Sequence, residues 1–131
     1  MSQENVEIVR AATEAWSVGD MNSLRRLYDP QIVVQPLPAW PEPGPWIGAE
    51  AVIRSWERQR EALGEQTLVS ISDLVHAGDR VLVTQRWQGA GRGPEMSLET
   101  TVVVTIRNGK MTALDFFRDR VDALESVGLE E

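Results

Sequence analysis

The chain has 131 residues, no cysteine and one histidine, His76. Those absences exclude a disulfide scaffold, thiolate zinc or iron–sulfur ligation, cysteine nucleophiles and any multi-histidine metal site, and leave a Ser-His-Asp triad only through His76. Thirteen Lys and Arg against twenty Asp and Glu give a net charge of −7 with no basic run, which argues against a nucleic-acid partner.

The length is that of one domain spanning 1–131. Nothing approaches 18 consecutive apolar residues, and MSQENVEIVR has no signal-peptide pattern. The expectation is a soluble cytoplasmic protein with no membrane partner and no cofactor. Lys110 is the only lysine, so the cations are almost all arginine, and five tryptophans stand against two Phe and one Tyr.

Residues 3–18 predict an amphipathic helix on Val6, Val9, Ala12 and Trp16, with Gly19 as its left-handed stop. Asp20 caps a second short helix carrying Leu24, Leu27 and Tyr28 and ended by Asp29-Pro30. QIVVQ at 31–35 predicts a first strand. Five of seven prolines then fall in PLPAWPEPGPW at 36–46, with Trp40 and Trp46 among them. Proline at that density excludes helix and central strand and predicts a stiff extended loop over the body of the fold.

A third helix follows at 48–63, with Val52, Ile53, Trp56 and Leu63 on one side. The period then changes to strands at 66–76 and 80–88 about Ala77-Gly78-Asp79. Beyond GAGRGP at 89–94 come strands 96–107 and 110–118 about Asn108-Gly109, a strong hairpin signal. A last helix runs from Asp119 through Val127. The order ααβαββββα predicts an α+β fold with helices on one face of a curved antiparallel sheet.

This order and a set of local signatures resemble the SnoaL-like branch of the nuclear transport factor 2-like superfamily. The signatures are Gly19-Asp20, LYDP at 27–30, WIGAEAV at 46–52, AGDRVLV at 77–83, RNGK at 107–110 and DALESVGL at 122–129. The resemblance implies a cone-shaped fold, a sheet wrapped around the long third helix over an apolar pocket, and a homodimer through the outer sheet face. It does not fix an activity, because the superfamily hosts isomerases, hydrolases, cyclases and non-catalytic binders.

Alternation separates Leu82, Thr84, Arg86 and Gln88 from Val83, Gln85 and Trp87. The resemblance implies that the first set points inward, with Leu98, Thr100, Val102, Val104 and Ile106, and with Thr112, Leu114, Phe116 and Arg118. Trp16, Tyr28, Val33, Gln35, Ile53 and Trp56 complete an aromatic-lined cavity. Carried over by motif, the ketosteroid isomerase base falls on Gln35, its oxyanion acid on Val102 and its tyrosine on Ala12. The epoxide hydrolase arginine falls on Arg86, its two aspartates on Gln88 and Phe116, and the cyclase aspartate also on Phe116. A carboxamide or hydrocarbon cannot replace those proton carriers.

Arg86 is thus the leading candidate, either a clamp for a ligand anion or carbonyl, or a partner in an internal salt bridge. Arg118 is a lesser candidate near the sheet end. Tyr28 either lends its hydroxyl to the pocket or packs. Gln35 and Gln88 either orient a polar ligand atom or pair with each other. Trp16 and Trp56 are core residues able to line the pocket, as are Val102, Leu114 and Phe116. Trp46 is structural, Trp40 either pins the proline loop or forms a lid, and Trp87 is a dimer contact on the outer face. Glu99 and Asp115 face outward, Asp29 is a turn residue and His76 is exposed.

The reading that follows is a homodimeric protein binding a small hydrophobic or aromatic molecule near Arg86, without the acid–base carboxylates of the related enzymes. The alternative is a lyase, isomerase or hydrolase acting on a carbonyl or epoxide through Arg86 and Tyr28. A third reading is a structural module with a collapsed pocket.

Overall fold

A computed structural model describes residues 2–38, 40, 42–64, 67–89 and 97–129, with the side chains of Ser2 and Ser97 left aside. Helices α1 (Ser2–Val18) and α2 (Met21–Leu27) are followed by β1 (Tyr28–Gln35), a two-residue β2 (Trp46–Ile47) and α3 (Ala49–Leu63). Strands β3 (Leu68–Ala77), β4 (Arg80–Gln88), β5 (Ser97–Arg107) and β6 (Lys110–Phe117) and helix α4 (Arg120–Ser126) complete the chain. The expected order is found, with β2 added. Apart from Gly89, the expected glycine-rich connection lies outside the described residues.

Local chemistry explains the element ends. Gly19 has φ +78°, its N–H donates to the Trp16 carbonyl at 3.2 Å, and the Asp20 N–H donates to the Ala15 carbonyl at 2.8 Å. That pair of bonds closes α1 in a Schellman motif. The Asp20 carboxylate caps α2 by accepting from the Ser23 backbone N–H at 3.1 Å and its hydroxyl at 2.6 Å. These bonds hold its pKa below the ordinary value. Asp119 precedes α4 but makes no side-chain cap bond. Asn108 and Gly109, with φ of 53° and 75°, supply the left-handed pair that a two-residue hairpin turn requires.

The six strands form one sheet in the order β2-β1-β6-β5-β4-β3. It is mixed rather than antiparallel, because β1 runs parallel to β6, with Val33 opposite Ala113 and Val34 opposite Leu114. A parallel neighbour needs a long connection, and residues 36–109, more than half of the chain, lie between these two strands. The β1 register shifts between Tyr28 and Val33, where Pro30 sits and cannot donate to the ladder. Further shifts in β3 between Ile71 and Asp73 and in β5 between Thr105 and Ile106 help the sheet curve.

The helices divide between the two sheet faces, against the one-sided arrangement expected. On the inner face Val9, Trp16, Ile32, Val34, Ile53, Trp56, Val83, Val104 and Leu114 belong to one buried cluster. On the outer face Leu82 and Val103 pack with Ala123 and Leu124 of α4 in a second, smaller cluster. Burying both faces of β4 leaves Val81, Leu82 and Val83 a continuous apolar run. At the β3 edge, the Ser17 hydroxyl donates to the Val69 carbonyl (3.2 Å) and accepts from its N–H (3.0 Å), stitching α1 to the sheet.

Candidate functional site

The strand pairing decides which side chains reach the interior. Residues directly opposite across an antiparallel ladder share a face, and Val83 opposes Val102, Gln85 opposes Thr100 and Trp87 opposes Leu98. The inward set of β5 therefore brings Val81, Val83, Gln85 and Trp87 inside and turns Leu82, Thr84, Arg86 and Gln88 outward. The expectation for β4 is inverted by one residue, which moves every side chain of the strand to the other face.

Arg86 consequently lies on the outer surface, 3.6 Å from Glu99, with both side chains about half exposed. Gln88 is exposed as well. Trp87 is only 3% exposed and donates its indole N–H to the Thr100 hydroxyl at 2.9 Å, so it offers no dimer contact. Strand β1 is corrected in the same way. Ile32 and Val34 point in, while Val33 and Gln35 are exposed, Gln35 being paired with the exposed Asp115. Arg118 is exposed beyond the end of β6. Arg86 and Tyr28 stand on opposite sides of the sheet, so the geometry does not bring together the pair required by the lyase, isomerase or hydrolase alternative. An exposed ion pair contributes little, and Arg86→Ala should change the unfolding free energy by less than about 0.5 kcal/mol in denaturant titration. A loss above about 2 kcal/mol would instead mark a buried cation.

Inside, a cavity of about 50 Å³ is walled by α1 (Val9, Ala12, Thr13, Trp16), α2 (Leu24), β1 (Tyr28), α3 (Trp56), β3 (Val69) and the inward residues of β4 to β6. Trp16, Tyr28, Trp56, Val102, Leu114 and Phe116 are among its walls, as the sequence suggested. Gln85, Thr13 and Trp87 are wall residues that the sequence reading missed. Carrying the β5 face across the ladder to β4 would have found two of them.

No Asp, Glu, His, Lys or Arg lines this cavity among the described residues. The Trp56 N–H donates to the Tyr28 hydroxyl at 2.9 Å, and the tyrosine proton is donated to no described residue. Burial pushes the Tyr28 pKa far above the ordinary range, outweighing the opposing pull of the Trp56 N–H, so the group is a neutral phenol. Trp16 Nε1 and Gln85 Oε1 are buried without a hydrogen-bond partner among the described residues, as are Trp46 Nε1 and Glu42 Oε2. The Gln85 amide orientation has a cause. Thr13 donates its only hydroxyl proton to the Val9 carbonyl at 3.0 Å, so Gln85 presents Nε2 to it at 3.5 Å and its oxygen elsewhere.

Trp40 is not a wall of this cavity but packs on three rings that are, with its ring centroid 4.9 Å from Phe116, 6.0 Å from Trp87 and 6.2 Å from Trp56, and it lies 6.3 Å from Trp46. On its other side opens a cleft of about 570 Å³ between the proline segment, the C-terminal half of α3 and the ends of β4 and β5. Trp40, Pro43, Ala62, Leu63, Trp87 and Leu98 supply apolar wall, and Glu42, Ser55, Arg58 and Gln59 polar edges. Arg58 Nη2 donates to Glu42 Oε1 at 2.5 Å, tying the proline segment to α3. Trp46, 5% exposed, is part of the core as expected. Among the described residues no group of three or more His, Asp or Glu could hold a metal ion, and no helix is long and apolar enough to cross a membrane.

The family model described as SnoaL-like domain matches residues 9–114. No curated protein matches the chain. Among solved structures, Bal32a from a soil-derived mobile gene cassette superposes with a TM-score of 0.82 at 20% identity, over 96% of this chain and 97% of that one. TerC, co-crystallised with polyporic acid, gives 0.75 at 18% identity over 95% and 97%. A protein of Catenulispora acidiphila with a ketosteroid isomerase-like fold, in complex with trimethylamine, gives 0.73 at 22% identity over 94% and 93%. These likenesses establish the fold.

Proposed function

The chain belongs to the SnoaL-like domain family, and from that premise we propose that it binds a small apolar or aromatic molecule in the cleft beside Trp40 and Trp87. The observation that carries this reading is the cleft itself. Its volume of about 570 Å³ falls in the range of small-molecule sites, which are mostly apolar with a few polar groups that orient the ligand. The interior cavity of about 50 Å³ has room for a little water or one functional group, but not for a whole ligand. Two structural neighbours crystallised with small molecules, polyporic acid and trimethylamine, support a ligand-holding role.

Binding rather than turnover is favoured by the walls. Arg86 is on the outer face, no Asp, Glu, His, Lys or Arg lines the interior cavity among the described residues, and the charged cleft residues Glu42 and Arg58 are bonded to each other. Ala62 allows a clean test, because it is an exposed residue of α3 that also lines the cleft. A bulky side chain there fills the cleft without disturbing the core. In fluorescence titrations with Nile red, the wild type should bind and Ala62→Trp should bind at least about tenfold more weakly. Equal binding by the two proteins, or none by the wild type, would refute the reading.

A further inference from the structure

Helix α3 turns one face to the cleft. Ser55, Arg58, Gln59, Ala62 and Leu63 all line it, at the spacings i, i+3, i+4, i+7 and i+8 that stack along one side of a helix. Ala62 and Leu63 are apolar, and Arg58 is engaged by Glu42 at 2.5 Å. Ser55 and Gln59 are then the uncharged polar side chains that the helix brings to this wall. Neither side chain hydrogen-bonds to a described residue.

Ser55 is 4% exposed yet forms part of the cleft wall, and Gln59 is half-buried beside it. Residues four apart on a helix hold their Cβ atoms about 5–6 Å from each other, so one small group of a ligand can meet both. An apolar molecule filling the cleft would take water from the hydroxyl and the carboxamide and return nothing. A polar group left unmet in this way is costly.

We propose that Ser55 and Gln59 form the polar seat of the cleft and select an uncharged aromatic compound whose amide holds its N–H and C=O side by side, a primary carboxamide or a lactam. The inference rests on the cleft reading above and adds the class of ligand. Gln59 Oε1 accepts from the ligand N–H while Nε2 donates to the ligand carbonyl, and the Ser55 hydroxyl donates to that carbonyl's second lone pair. A ketone meets the two donors but leaves Gln59 Oε1 without one. A carboxylate has the same defect and adds a charge beside Glu42, whose partner Arg58 is already engaged. An ammonium group offers no acceptor to Ser55 or Gln59 and meets the Arg58 cation. The aromatic body of the ligand lies against the apolar wall of Trp40, Trp87 and Leu98.

The test compares 2-naphthamide, 2-acetonaphthone, naphthalene and 2-naphthoate by calorimetric titration. The wild type should bind 2-naphthamide about tenfold more tightly than naphthalene, with 2-acetonaphthone between them and 2-naphthoate weakest. Gln59→Leu should bring 2-naphthamide level with 2-acetonaphthone, because what remains of the seat serves both carbonyls alike. Ser55→Ala should narrow the gap between 2-naphthamide and naphthalene. Both substitutions introduce residues that favour a helix, so α3 is kept. Ala62→Trp should weaken 2-naphthamide at least about tenfold, as it should Nile red.

Equal affinity of the wild type for 2-naphthamide and naphthalene would overturn the inference, as would a preference that both seat variants leave intact. Failure of 2-naphthamide to bind, or binding that Ala62→Trp does not weaken, would overturn it too. The Nile red comparison decides the cleft reading separately.

Discussion

Trp56→Ala should lower the unfolding free energy by about 3–5 kcal/mol in denaturant titration, as large-to-small core substitutions at aromatic positions do. Trp56 is 2% exposed and sits at the middle of the aromatic cluster. Its ring centroid lies 5.2 Å from Trp46, 5.9 Å from Phe116, 6.1 Å from Trp16 and 6.2 Å from Trp40, in edge-to-face arrangements throughout. Removing it opens a cavity beside four rings and strands the Tyr28 hydroxyl that accepts its N–H. Trp56→Phe keeps most of the packing and loses that hydrogen bond, for an expected cost of about 1–2 kcal/mol. An alanine cost under about 1 kcal/mol would contradict a closely packed cluster.

Arg60→Met should cost about 2–3 kcal/mol, a large effect for a residue on the partly exposed side of α3. The guanidinium donates to the Trp16 carbonyl at 2.7 Å and to the Ser17 carbonyl at 3.3 Å. It therefore gives the Trp16 carbonyl a second donor beside the Gly19 N–H, reaches the Ser17 carbonyl at the end of α1, and places positive charge at the helix's negative pole. It also lies 5.2 Å from the Trp16 ring centroid, within cation–π range. Hydrogen bonds to a charged donor contribute about 1.5–3 kcal/mol and the ring contact about 0.5–1 kcal/mol. Arg60→Lys keeps the charge but not the planar fork, and should recover less than half of the loss. Thermal unfolding of the three proteins checks the order, and a methionine variant as stable as the wild type would refute it.

The legible parts of the sequence were those governed by local chemistry. Asp20, Gly19 and Asn108-Gly109 mark their turns and caps because each solves a backbone problem on the spot. The order of elements and the α+β class followed from the changes of period. The faces of β1 and β4 were not legible, for two reasons. Leu82 is apolar although it faces outward, because α4 covers it, so alternation along Val81-Leu82-Val83 carries no direction. The connection from β4 to β5 is too long to transmit register as a tight turn does. Burial preference alone favours Trp87 over Arg86 as the inward residue, whereas the resemblance implies the opposite face. That the described residues between Gln35 and Trp46 form neither helix nor strand was legible from their prolines. The seat of Trp40 was not, since it depends on three distant elements.

The parallel seam between β1 and β6 has a consequence for how the chain assembles. Val33 meets Ala113, 80 positions later, whereas β3 to β6 pair with sequence neighbours. Closing a long loop is entropically slow, and local pairings form before distant ones reward the chain. The meander of β3 to β6 should therefore form early, and β1 with the proline segment beyond it should dock late. In native-state hydrogen exchange, the amides of β1 and β2 should open at lower free energy than those of β4 and β5. The segment that carries Trp40 joins β1 to β2, so its amides should open together with theirs.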